Sequence, residues 1–236
     1  MLEITHVTKR YGMKTAVGDV SLRVEAGRLV ALLGPNGSGK TTLMKMIAGL
    51  TCPTSGEIVF DGETVGTGTK RHVAYMPTEA YFYNYMTARD AGRYYRDFFE
   101  DFSMERYMRL LDEEHLDAGA KIRAMSSGMV AKVKLALTFA RDSRLTMLDE
   151  PLNGIDIIAR ERTISLIRAH HTSQRALIVS SHLVEELEDL IDDAVFMLDG
   201  SVALSGTKQH IREQYGAGIV EMYRRIYGES EGNGNV

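Results

Sequence analysis

The octapeptide GPNGSGKT, residues 34–41, limits the possible folds of this chain more than any other stretch. It follows the apolar run RLVALL and precedes TTLMKMIAGL, where Leu43, Met44, Met46, Ile47 and Leu50 recur at helical spacing. A run apolar at every position reads as a strand buried on both faces, the habit of parallel sheets. Between such a strand and a helix, Gly, four residues and Gly-Lys-Thr form the phosphate-binding loop pattern. The glycines let the backbone fold tightly, so successive N–H groups point inward at a phosphate. The helix N-terminus adds its partial positive charge. Gly34, Asn36, Gly37, Ser38 and Gly39 would line the phosphates of a nucleotide. Lys40 would reach the β- and γ-phosphates, and the Thr41 hydroxyl would bind Mg²⁺, with Thr42 beside it. A plain glycine turn before a helix is the competing reading, and the strand–helix context outweighs it.

The rest of the chain supplies the sheet that such a loop needs. LEITHVTKRY and VGDVSLRVEAG alternate as strands, and PTSGEIVFDGE reads as turn, strand and turn. From Thr87 to about Leu116 the pattern turns helical, with Thr87 and Ser103 as N-caps. GMVAKVKLALTFARD is a further helix, RLTMLDEP and ALIVSSH are buried strands, and IARERTISLIRAH is the helix between them. DAVFMLDG and SVALSG read as a closing hairpin. Strands alternating with helices predict an α/β domain with a mostly parallel sheet. Residues 87–144 form a helical insertion in it. We set the domain at 1–220 and a C-terminal tail at 221–236, whose polar end GESEGNGNV is expected to be disordered.

Composition excludes several classes. The net charge of −4 gives no electrostatic footprint for nucleic acid. One cysteine, Cys52, rules out an internal disulfide framework and fits a reducing compartment. No apolar run reaches the length of a membrane span, and MLEITHVTKRYG lacks the apolar stretch of a signal peptide. A cytoplasmic chain that docks on a membrane protein is expected.

RLTMLDEP complements the loop. Asp149 falls at the carboxyl end of a predicted strand, where ligands sit in such sheets, and would hold the Mg²⁺ shell. Glu150, the next residue, would polarise an attacking water.

Seven landmarks in order now carry a resemblance. The chain resembles the nucleotide-binding subunit of ATP-binding cassette (ABC) transporters over about residues 2–215. KRYG puts Tyr11 at the family's adenine-stacking aromatic, and GPNGSGKTT is the phosphate loop. AYMPTEAYFYNYMT lies where the family's glutamine loop runs into the helical subdomain. MSSGM stands at the signature Leu-Ser-Gly-Gly-Gln, and TMLDEP is the second nucleotide motif. LNGID matches the loop after it, with Asp156 as its acid, and SSH puts His182 at the switch histidine.

The resemblance implies a P-loop NTPase core with an N-terminal antiparallel β subdomain and an inserted helical subdomain. It implies ATP and Mg²⁺ as ligands, Glu150 as general base and His182 on the γ-phosphate. It implies two cassettes packed head to tail, identical or different. Ser126 and Gly128 of each would complete the site of the other. A separate membrane permease is the further partner, with the cassette on the inner face of the membrane and EAYFYNYMTARD as its docking region. Export of drugs or peptides is favoured over import. A non-transport ATPase acting on nucleic acid or ribosomes is the remaining class, disfavoured by a single phosphate loop and no heptad run. Two departures stand out. Thr78 occupies the glutamine position and is too short for sure contact with the metal, leaving a bridging water or Glu79 to reach it. Met125, Ser127 and Met129 replace the signature's leucine, first glycine and glutamine.

Overall fold

The computed structural model describes residues 1–79, 81–83 and 85–228. Strands β1 (Leu2–Tyr11) and β2 (Lys14–Val24) form a long hairpin. The chain then enters a second sheet as β3 (Leu29–Leu33) and passes through helix α1 (Lys40–Ile47). It returns to the first sheet as β4 (Ser55–Phe60) and β5 (Glu63–Thr64), giving an antiparallel sheet in the order β2-β1-β4-β5. The second sheet adds β6 (Val73–Met76), β7 (Leu145–Asp149), β8 (Ala176–Ser181), β9 (Asp193–Leu198) and β10 (Ser201–Thr207). Its order is β10-β9-β3-β8-β7-β6, and every neighbouring pair is parallel except the closing β9–β10 hairpin. This is the α/β P-loop fold expected from the sequence, with the antiparallel sheet at the N-terminus.

All five residues of β3 are buried because both of its faces are covered. Period-2 alternation splits them between two cores. Leu29, Ala31 and Leu33 face the core shared with the helical lobe, while Val30 and Leu32 face α1 and the antiparallel sheet. Each of its leucine and valine side chains contributes about 1.5–3 kcal/mol of burial, so the strand that delivers the phosphate loop is held from both sides.

Helices α2 (Ala88–Phe98), α3 (Met104–Glu113) and α4 (Ser127–Phe139) form the lobe inserted between β6 and β7. The expected caps are present. Thr87 and Asp90 make a reciprocal capping box, and the Ser103 hydroxyl accepts from Arg106 N–H. A Cβ on Gly92 would meet the Tyr107 ring at 2.4 Å, so only glycine lets α2 and α3 pack this closely. Helix α5 (Ile157–His170) links β7 to β8, and the short α6 (Val184–Leu187) follows β8.

The C-terminal boundary needs correction. Helices α7 (Lys208–Tyr215) and α8 (Ile219–Tyr227) close the chain, so residues 221–227 are not a tail. Ile219, Met222 and Tyr227 of α8 are buried on one face. The Tyr227 hydroxyl lies 3.2 Å from Leu33 O and 2.9 Å from Met197 O, beneath the start of the phosphate loop. The polar stretch after Gly228 lies outside the described residues.

Candidate functional site

The phosphate loop closes on itself through its lysine. Lys40, the first residue of α1, donates from Nζ to Gly34 O at 2.7 Å and Pro35 O at 3.1 Å. Gly34 has a φ of 151°, and a Cβ there would meet Met197 O at 2.5 Å. Gly37 also has positive φ, at 86°, but nothing lies within 4 Å of its Cβ position, so the loop's crown is open. The Ser38 hydroxyl is buried and has no partner among the described residues. Buried polar atoms are normally satisfied, so an orphan donor at this point suits a phosphate oxygen. The loop borders a cleft of about 390 Å³, which Asn36, Gly39, Thr41 and Thr42 help to line.

The register of β7 on β8 sets Asp149 against Ser180. Ser180 Oγ donates to Asp149 Oδ1 at 2.6 Å and accepts from Glu150 N–H at 2.9 Å, so one hydroxyl ties the two acids. Thr41 Oγ1 donates to Asp149 Oδ1 at 3.2 Å, and the Tyr75 hydroxyl to Oδ2 at 3.1 Å. Burial first, and then the charge of Asp149, push the Tyr75 phenol far above its usual range, so it stays a donor. Asp149 is fully buried, and these three partners are neutral hydroxyls. No cation pairs with it within ion-pair distance among the described residues, and that oxygen set fits a hard divalent cation.

Glu150 sits in the left-handed region, φ 49°, which typically costs a non-glycine residue about 1–3 kcal/mol. Its surroundings over-determine that backbone. Its N–H faces Ser180, Oε2 is 2.9 Å from His182 Nδ1, and Oε1 is 3.3 Å from Lys40 Nζ. Lys40 and Glu150 are 5% and 8% exposed, and His182 about a third. Oε1 faces the ammonium without a well-directed hydrogen bond. A base candidate, a histidine and the loop lysine therefore meet at one carboxylate.

Thr78 lies beside this group but is turned to the backbone, its hydroxyl donating to Asp149 O at 3.3 Å. Glu79 lines the cleft, and its carboxylate pairs with Lys45 at 2.9 Å. The Lys45 hydrogen bond holds the Glu79 carboxyl below its usual range.

The remaining expected residues are not among those that line the cleft. Tyr11 ends β1 opposite Lys14, half exposed, with the Lys9 ammonium 5.0 Å from its ring centroid. Lys14, its ladder partner, does line the cleft. Ser126 caps α4 by accepting from Met129 N–H at 3.2 Å, and Gly128 faces Ala159 of α5. Asp156 caps α5 by accepting from Ala159 N–H at 2.9 Å. Ser127, which replaces a glycine of the signature, donates to Gly154 O at 2.8 Å. Sequence reasoning missed Lys14, Tyr75, Asn153 and Ser180. Only Ser180 left a signal, as a hydroxyl ending an otherwise apolar strand.

Comparison with known proteins agrees with this geometry. A family model described as ABC transporter matches residues 17–153. The lantibiotic transport ATP-binding protein SrtF of Streptococcus pyogenes is 30% identical, covering 86% of this chain and 90% of that protein. The Nod factor export ATP-binding protein I of Cupriavidus pinatubonensis is 31% identical, covering 94% and 71%. A solved structure described as the ATP binding subunit of an ABC transporter superposes with a TM-score of 0.85 at 29% identity, covering 95% of this chain and 98% of that one. The phosphate loop, the acid pair and a family match over more than half of the sequence place the chain in the ABC transporter family, as an ATP-binding subunit that hydrolyses ATP.

Proposed function

We propose that the cleft binds ATP with Mg²⁺ and that two copies of the cassette close head to tail to hydrolyse it, driving export through a separate permease. The contacts that join Lys40, Thr41, Asp149, Glu150 and His182, three of which line the cleft, carry this reading. The amides of Gly34, Asn36, Gly37, Ser38 and Gly39 and the Lys40 ammonium would take the phosphates, the Thr42 hydroxyl would lie next to them, and Tyr11 would stack on adenine. Thr41 and Asp149 would hold Mg²⁺, which neutralises phosphate charge when bound. Glu150 would accept the proton of the attacking water, and His182 would orient the γ-phosphate. Thr78 would act through the Asp149 backbone rather than on the metal.

Ser126 and Gly128 start a helix on the exposed edge of the lobe. Their hydroxyl and amide, with the helix N-terminus, would complete the site of a second cassette. The exposed Ile157 and Ile158, next to Asp156 and beside that edge, supply apolar area for such a contact. The partner cassette is a second copy or a related chain.

No helix of the described residues is long and apolar enough to cross a membrane. Tyr83, Tyr85, Tyr94 and Phe98 are exposed and in ring contact along one side of the lobe. A pocket of about 220 Å³, lined in part by Tyr81, Tyr95 and Phe99, opens between lobe and sheet. A permease helix on the inner face of the membrane would dock there. Export of drugs, peptides or similar compounds is our reading, and relatives named for lantibiotic transport and Nod factor export support it.

ATPase assays and size exclusion test this. Lys40→Ala should abolish turnover, and Glu150→Gln should run as a dimer with Mg-ATP. Unchanged turnover in the first would sink the site, and a monomer in the second would sink the closing mechanism.

A further inference from the structure

Lys134 of α4 is buried, 7% exposed, yet among the described residues no carboxylate lies within ion-pair distance of its ammonium. Its Nζ donates to Thr78 O at 3.0 Å and, more weakly, to Glu79 O at 3.4 Å. The ammonium also lies 5.6 Å from the centroid of the Tyr81 ring. Burial pushes the Lys134 pKa down to about 8, against the opposing pull of Glu79 and Asp149. An apolar side chain of the same length would avoid that desolvation. Lys132, two residues earlier, behaves differently: it pairs with Glu114 at 2.9 Å, inside the lobe.

The segment that Lys134 grips is fixed from the other side as well. The Thr78 hydroxyl reaches Asp149 O, and the Glu79 carboxylate reaches Lys45 of α1. Residues 78 and 79 therefore bridge the metal-binding acid, the phosphate-loop helix and α4. Helix α4 begins at the Ser126 cap, and eight residues of α-helix place Lys134 about 12 Å from it. The helix is a stiff rod with the signature serine at one end and this grip near its middle.

We propose that Lys134 is a positioning residue for ATP hydrolysis: a strut that locks the Thr78–Glu79 segment beside Asp149 and makes it move with α4. This rests on reading Asp149 as the Mg²⁺ ligand of the ATP site. With threonine in place of the family's glutamine, the side chain at 78 is short. Backbone placement then sets where the segment stands, and Lys134 supplies it. Ground-state binding of ATP depends on the phosphate loop and should survive loss of the strut. The step that needs the metal-side wall in place should not.

The test is steady-state ATPase kinetics and thermal unfolding of the full chain. Lys134→Met should lower kcat roughly tenfold or more while KM for ATP moves less than about threefold, the signature of an interaction made in the transition state. Its Tm should hold or rise, because an apolar side chain replaces a buried charge. Lys134→Arg, which keeps the donors, should retain about a third of kcat or more, and Lys132→Met should stay within roughly twofold of the parent. If Lys134→Met does not fold, Lys134→Gln replaces it under the same criteria. The strut is overturned if Lys134→Met turns over at the parental rate, if KM rises as far as kcat falls, or if Lys132→Met is equally impaired. Lys40→Ala in the same assay separates the two levels. An inactive Lys40→Ala beside a fully active Lys134→Met removes only the strut, and an active Lys40→Ala removes the ATP-site reading with it.

Discussion

Glu150→Gln should do more than stop hydrolysis: it should tighten ATP binding to the single cassette. In the structure Lys40 is engaged three ways, with Gly34 O, Pro35 O and the Glu150 carboxylate at 3.3 Å. To reach a phosphate it must release the carboxylate. The gross attraction of that pair is about 5 kcal/mol at an effective dielectric of 20. Lys40 exchanges it for phosphate, so only a part opposes binding. Charge-assisted contacts are typically worth about 1.5–3 kcal/mol net, and a glutamine amide keeps some of that. We take about 1–2 kcal/mol as the gain, roughly a 5- to 30-fold tighter Kd. Glutamine has the same length and tolerates the backbone at φ 49° no worse than glutamate, so the fold is unaffected.

The assay is calorimetric titration with ATP in excess chelator, at protein concentrations that keep the chain monomeric. Without divalent metal hydrolysis does not contribute, and the low protein concentration keeps closure out of the titration. Long-range repulsion between Glu150 and the triphosphate would act in the same direction, and salt separates the two effects. The Debye length falls to about 3 Å at 1 M, so repulsion is screened while a contact between side chains 5% and 8% exposed is not. The expected gain persists at high salt. An unchanged or weaker affinity would refute the view that Glu150 competes for Lys40.

Two further substitutions probe other contacts. Ser126→Ala removes a helix cap worth about 1 kcal/mol, so Tm should fall by roughly 2–4 °C. It should also slow hydrolysis while the monomer's ATP affinity stays unchanged, and a lost monomer affinity would place the serine in its own chain's site. Tyr227→Phe strips a buried donor from Leu33 O and Met197 O, a loss of about 1–2 kcal/mol and roughly 3–6 °C in Tm. An unchanged Tm in differential scanning calorimetry would mean that α8 does not brace the phosphate loop.

Local spacing made part of the site legible. The loop lysine and threonine and the acid pair end or closely follow apolar strands that announce themselves in sequence, whereas His182 is placed by the family resemblance. Tyr75 and Lys134 left no signal, and Ser180 only a hydroxyl near the end of an apolar strand, because their partners lie across the fold. Their roles depend on β7 sitting between β6 and β8 in one register, Asp149 opposite Ser180. No one-dimensional pattern encodes that pairing. The C-terminus misled for a related reason. We set the domain to end at residue 220, yet Ile219, Met222 and Tyr227 share a buried face across that boundary. The hydroxyl of Tyr227 is 194 residues from the carbonyl of Leu33 that it meets.

The departures from the family pattern look, in sequence, like lost polar groups. In the structure each is an attachment within the chain. Ser127 has exchanged a glycine for a hydroxyl that donates to Gly154 O, four residues past Glu150. Met129 packs on the helical core. Thr78 leans on the Asp149 backbone while Lys134 holds its carbonyl. All three contacts run between the helical lobe and the segment that carries the acids, or stiffen the lobe itself. A polar side chain reaching freely into a site would act on its own. These groups act by fixing where a neighbouring backbone lies, so the lobe and the acid segment resist moving separately. The altered signature therefore argues for a more rigid cassette, not a disabled one, and the retained Ser126 cap and Gly128 stand at the end of the helix through which that rigidity is delivered.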